Sequence, residues 1–149
     1  MLRRIRFVLA AGLLVVLALS TVATANAGGR KVFSSSMVGL ATPGTVVAGV
    51  TGAGAPWAIE EGSATLTAGG RLHVEVEGLV LVSTGGNPIP QGRGVVSCGG
   101  VVAAMSDPVD FSSTGDAEVN ANVSLPSGCL APVVFFTNVG GKWFAATGF

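Results

Sequence analysis

The 149-residue sequence has no tyrosine, a single histidine, two cysteines and few charges, with Asp, Glu, Lys and Arg making up 11% of it. Several of these scarcities exclude a function. With His73 as the only imidazole, zinc catalysis on three histidine ligands is impossible, and so is a copper–zinc oxidoreductase that needs several imidazoles. Cys98 and Cys129 stand far apart, so no C-x-x-C dithiol exists for redox work. Lys and Arg nowhere form a cluster after residue 27, which argues against nucleic acid or anionic lipid as a partner, since both need grouped cations. No G-x-S-x-G elbow is present for a serine hydrolase.

What is present first is a leader. Arg3, Arg4 and Arg6 precede an unbroken apolar or small stretch from Phe7 to Leu19, which Ser20, Thr21 and Thr24 interrupt before Ala25-Asn26-Ala27. Positive residues resist translocation, and Ala25 and Ala27 fit the A-x-A cleavage pattern. Residues 1–27 are therefore expected to be a secretory signal peptide and the protein to be secreted, by the general secretory route in preference to the twin-arginine route that Arg3-Arg4 hints at. The alternative is an anchor retained in the membrane over residues 7–25, slightly short of the roughly 20 apolar residues a span needs. No cysteine follows the stretch to accept lipid.

Without the leader, five basic residues (Arg30, Lys31, Arg71, Arg93, Lys142) face eight acidic ones, a formal charge of −3. In an oxidising compartment Cys98 and Cys129 are expected to pair, a structural bond worth roughly 3–4 kcal/mol through loop closure. The rest of the chain reads as all-β, because apolar residues recur at every second position, glycine is abundant and aromatics are few. Leu72, Val74 and Val76 alternate with His73, Glu75 and Glu77, and Ala64, Leu66 and Ala68 alternate with Ser63, Thr65 and Thr67 across Gly69-Gly70, which predicts a hairpin over 57–77. A second hairpin is expected from Val109 and Phe111 through the turn 113–116 to Ala117–Leu125. A third is expected to pair Val133–Phe136 with Trp143–Ala146 across Gly140-Gly141. Further strands are expected at Phe33–Leu40, Thr45–Val50 and Val95–Val102, and a surface loop over 84–92, where prolines and glycines break regular structure. The expected fold is an immunoglobulin-like antiparallel β-sandwich of seven or eight strands. Residues 28–56 are read as a Gly/Ala/Thr-rich, partly mobile segment before a sandwich domain over 57–149, with 28–149 as a single domain as the alternative.

No catalytic set and no cofactor is assigned. His73, Glu75 and Glu77 form an H-x-E-x-E array on one strand face, of which His73 and Glu75 are the candidate metal ligands; side chains two apart on a strand are about 6.5–7 Å apart, so all three cannot chelate without strain. A triad through His73 has no supporting motif. Glu60 and Glu61 are expected on opposite faces of a strand, and Asp107 and Asp110 flank Pro108 in a turn, so neither reads as a carboxylate pair for glycoside chemistry. Asp107, Asp110 and Asp116 lack calcium-loop spacing. Asn122-Val123-Ser124 matches the N-glycosylation pattern and is most simply three strand residues. Trp57, Trp143, Phe135, Phe136 and Phe144 are expected in the core, the alternative being the lining of a ligand cleft.

The stretch Gly62–Val80, with Asn87-Pro88, Cys98, Leu125-Pro126, Cys129–Pro132 and Trp143–Gly148, resembles small secreted actinobacterial proteins of unknown function. The resemblance implies a secreted β-rich domain with one disulfide and brings no activity. In its Gly-, Ala- and Thr-rich texture and in Asp110-Phe111-Ser112-Ser113 the chain is also similar to the immunoglobulin-like apoproteins of enediyne antibiotics, which carry two disulfides where this chain can form one. The expected function is accordingly a non-enzymatic exported domain that binds, or serves as a structural component of, the envelope or the medium, with a protein or envelope component as the partner class. The alternative is a small-molecule carrier with a pocket between the sheets. A connected apolar cavity walled by Trp57 or Trp143 would mark a carrier, and a filled core with an apolar surface patch a protein-binding domain.

Overall fold

The computed structural model describes residues 29–148; the expected leader and its cleavage motif at Ala25 and Ala27 lie outside the described residues. Those residues form no helix, so none is long and apolar enough to cross a membrane. They form β1 (Lys31–Gly39), β2 (Val46–Val47), β3 (Val50–Thr51), β4 (Trp57–Ala58), β5 (Glu61–Thr67), β6 (Arg71–Glu77), β7 (Val80–Leu81), β8 (Gln91–Cys98), β9 (Val101–Met105), β10 (Val109–Asp110), β11 (Ala117–Asn122), β12 (Val133–Asn138) and β13 (Trp143–Thr147). Eight of these have five residues or more, and five are two-residue pieces that an alternation pattern cannot signal.

The main sheet runs β10-β8-β12-β13-β1-β5-β6-β11, every pairing antiparallel, with β9 beside β8. β1 joins its two halves. Ser34–Ser36 pair with β5 while Met37–Gly39 pair with β13, so one strand passes from the first layer into the second, as corner strands do in packed sheets. The chain is therefore an antiparallel all-β protein consistent with a sandwich. Its inner faces meet at Leu66, Leu72, Val74 and Val119 on one side and at Val96, Val134, Phe136 and Phe144 on the other, all buried. Trp57 and Phe111 fill the middle, with ring centroids 4.2 Å (Trp57–Phe144) and 5.0 Å (Phe111–Phe136) apart. Leu40, Val50 and Ala53 belong to the same core, so residues on either side of position 57 share one interior.

A second packed layer lies on the outer side of the β8-β12-β13 half. There residues 41–53, with the small β2–β3 hairpin, cover Val95, Phe135 and Trp143. Trp143 Nε1 donates to Thr45 O at 3.1 Å, Ala53 N–H to Trp143 O at 3.0 Å, and Ser97 Oγ to Ala48 O at 2.6 Å. Phe144 is the extra residue of a β-bulge: Phe136 pairs with Ala145 and Thr137 with Trp143. The bulge turns Trp143 into the outer layer and Phe144 into the inner one, and so both faces of β13 are buried.

The β5–β6 and β12–β13 hairpins form as expected, except that Trp57 and Ala58 leave the first to pair with β7. The expected hairpin over 109–125 does not form. Its arms go to different layers, β10 to β8 and β11 to β6, because the loop between them closes on itself: Ser112 N–H bonds Asp116 O, and Gly115 N–H bonds Ser112 O, both at 3.0 Å. Nor is Val95–Val102 one strand. Gly99 and Gly100, at φ 60° and 85°, make a two-residue hairpin turn that starts β9. Gln91 and Gly92, read as loop, already pair with β10, while the loop before them is anchored by buried Asn87, whose Nδ2 donates to Ser112 O at 2.7 Å and Ile89 O at 2.8 Å.

Cys98 and Cys129 are bonded, with a Cα–Cα distance of 5.0 Å. The bond ties the end of β8 to the connection between β11 and β12, and thus one layer to the segment leaving the other.

Candidate functional site

The polar face of β6 is where the sequence places its candidate metal ligands. Asn120 lies opposite His73 on β11, and Glu118 opposite Glu75. Asn120 Nδ2 donates to Glu118 Oε1 at 2.7 Å, which leaves Asn120 Oδ1 as the acceptor for His73 Nδ1 at 2.8 Å. The Nδ1 position of the ring is thereby occupied. Nε2 has Glu75 Oε2 at 4.0 Å, and Nδ1 has Glu118 Oε1 at 3.8 Å, both carboxylates being exposed. Glu118 and Asn120 were not singled out from the sequence; the signal that could have found them was the strict alternation of β11, since alternation on two paired strands puts their polar sides on one face.

Glu77 does not join this cluster. It pairs with Glu61, and these two with Glu60, Glu75, Ser36 and Ser63 line a groove of about 330 Å³. Glu60 and Glu61, expected on opposite faces, thus share one groove. The reason is local: Glu60 lies in a bend ahead of β5, with its side chain over Gly78, so strand alternation does not reach it. None of the residues lining this groove is basic.

The three aspartates do not converge. Asp110 lies on β10, Asp107 follows β9, and Asp116 closes the corner loop. Its Oδ2 accepts from Thr114 Oγ1 at 2.6 Å and Ser112 Oγ at 3.1 Å, and its Oδ1 from Gly78 N–H at 3.0 Å. The Thr114 hydroxyl first, and then the Gly78 amide, hold the Asp116 carboxyl below the ordinary aspartate range. Among the described residues no three His, Cys, Asp or Glu side chains are placed to hold a metal. Asn122 and Ser124 are exposed at the end of β11.

Trp57, Phe135, Phe136, Phe144 and Trp143 are buried, the first and last at 4% and 3% exposure. Between the layers the packing is tight at Gly92 and Gly94, and a hollow of about 760 Å³ opens at the edge between β9 and β11. A Cβ on Gly94 would stand 2.9 Å from Leu72 Cδ2 across the interior, and one on Gly92 would strike the Phe136 ring. Large apolar side chains are exposed at β9 and the disulfide, as they are singly at Val46 and Val82. Val101 is 68% exposed, Leu130 73%, and Met105 54%, with Val102 beside them; Gly99 N–H bonds Leu130 O at 2.8 Å, which holds Leu130 at the β8–β9 turn. None of these four residues was singled out from the sequence, although the charge-free run Val101–Met105 after Gly99-Gly100 carried the signal.

No protein-family model matches this chain, and no curated protein or solved structure matches it either.

Proposed function

We propose that the chain is an exported, non-enzymatic domain that acts outside the cytoplasm by binding a protein or envelope component, with the apolar patch at β9 as its contact surface. The observation that carries this reading is the tight packing between the layers at Gly92 and Gly94 together with the exposure of Val101, Val102 and Met105 on β9 and of Leu130 beside the disulfide, with the Arg93 guanidinium lying on the Met105 sulfur. Large apolar side chains left exposed on one short edge strand favour a contact surface. Export is supported by the arginine-led apolar stretch with Ala25 and Ala27 behind it, and by the Cys98–Cys129 bond, which persists in oxidising compartments. The packing at Gly92 and Gly94 fills the middle of the interior and weighs against a carrier pocket there, while a hollow of about 760 Å³ opens at its edge between β9 and β11. Native mass spectrometry of protein purified from culture medium tests the reading: the expected species carries no added small molecule, and a co-purifying ligand of a few hundred daltons would overturn it.

A further inference from the structure

Met105 and Arg93 meet on one face of the β8–β9 pair. Val95 lies opposite Met105, and Arg93 is two residues along β8 on the same side, a diagonal neighbour within reach of a long side chain. Arg93 Nη1 stands 3.9 Å from Met105 Sδ, while Nη2 donates to Val139 O in the turn between β12 and β13. The guanidinium is thus fixed at one end and turned toward the sulfur at the other. Among the described residues it has no carboxylate partner, and its Nε, shut off from solvent, has no hydrogen-bond partner. Because a thioether is only a weak acceptor, one carbonyl is the single strong partner of this cation.

An oxygen on the sulfur would supply a second. A methionine sulfoxide is polar, and a hydrogen bond from a charged donor is roughly twice as strong as one between neutral groups. An oxygen added on the Arg93 side of a sulfur 3.9 Å from Nη1 falls within the hydrogen-bond range of about 2.7–3.2 Å with little movement of either side chain. The sulfur is also reachable: Met105 is 54% exposed on a strand that pairs with β8 alone, whereas Met37 on β1 is 5% exposed.

We infer that Met105 is a site of reversible oxidation by a peroxide, with Arg93 as the positioning residue that draws the oxygen to one side of the sulfur and holds it there. The sulfur lone pair attacks one oxygen of hydrogen peroxide, and the O–O bond breaks as the S–O bond forms. The departing hydroxide takes the proton of the transferred oxygen and leaves as water, so sulfur is oxidised by two electrons and the peroxide reduced by two. A sulfoxide sulfur is chiral, and each epimer is reduced by its own reductase. Oxygen on the Arg93 side makes one epimer. The change puts a polar side chain on the strand that exposes Val101 and Val102, and so weakens β9 as an apolar contact surface. In that consequence alone the inference rests on the binding reading above.

Treatment of the folded, disulfide-bonded protein with hydrogen peroxide, followed by digestion and repair of the peptides with each epimer-specific reductase, tests this. Met105 should gain one oxygen at least about tenfold faster than Met37, and one reductase should restore at least about five times as much Met105 as the other. In Arg93→Gln the two reductases should restore equal shares. On the unaltered protein the Arg93 side-chain N–H resonances should shift on oxidation, which decides the point if the variant fails to fold. Equal epimers in the parent, a preference that survives Arg93→Gln, or Arg93 resonances indifferent to oxidation would overturn the inference. The co-purifying small molecule described above would remove the binding reading and leave the Met105 chemistry standing.

Discussion

Gly94 on β8 faces Leu72 on β6 so closely that any side chain at residue 94 meets the leucine: an added Cβ would lie 2.9 Å from Leu72 Cδ2, with Val119 Cγ1 and Val74 Cγ2 next at 3.5 and 3.6 Å. Leu72 is fully buried, so it must shift within a packed interior to make room. Gly94→Ala should therefore destabilise the fold by about 1–3 kcal/mol through overpacking, read as a lower midpoint in urea at unchanged slope. A neutral substitution would mean that space exists between the layers.

The Cys98–Cys129 bond closes a loop across a separation of 31 residues. Replacing both cysteines with alanine should cost roughly 3–4 kcal/mol, measured by denaturant unfolding against the oxidised protein. Under reducing conditions the parent should fall most of the way to the stability of the variant.

The all-β class, the alternation of β6 and β11, and the β12–β13 hairpin were legible in the sequence because a half-buried strand repeats every two residues and a doubly covered one is continuously apolar. The corner at Ser112–Asp116 was not, since a loop that bonds to itself has the same Ser, Thr, Gly and Asp composition as a hairpin turn, and only the destinations of β10 and β11 distinguish the two. The bulge at Phe144 and the cover that residues 41–53 place over Trp143 are tertiary arrangements without a local pattern. Of the candidate sites, the His73–Glu75 face was visible and its partners Glu118 and Asn120 were not, because strand order decides which alternating faces lie together.

Asp116 predicts a pH dependence with a definite sign. Its carboxyl sits below the ordinary aspartate value when folded, so its contribution is fully present above the unfolded pKa of about 3.9 and is lost as pH falls through the lower folded value. Asp116→Ala should lower stability at pH 7 through the lost bonds to Thr114, Ser112 and Gly78, by an amount that solvent exposure keeps small, and the gap between the two proteins should narrow as pH falls below about 4. Thermal unfolding of both proteins from acid to neutral pH checks this.

The β2–β3 turn places Ala48 at φ 42°, the left-handed region, with Gly49 at φ 80°. An L-residue there costs roughly 1–2 kcal/mol, against which glycine adds unfolded-chain entropy of about 0.4–1 kcal/mol. Ala48→Gly should raise stability by roughly 0.5–1 kcal/mol. It should also leave the Ser97 Oγ bond to the residue 48 carbonyl in place; a melting curve and a crystal structure of the variant check the two outcomes.

Export of this disulfide-closed domain is proposed, and the intact mass of the chain made from its full sequence and recovered from culture medium decides it. One soluble species comprising residues 28–149, two hydrogens lighter than its reduced form, is expected. Recovery only in the membrane fraction with residues 1–27 still attached, or a secreted chain whose two cysteines are free, would contradict it.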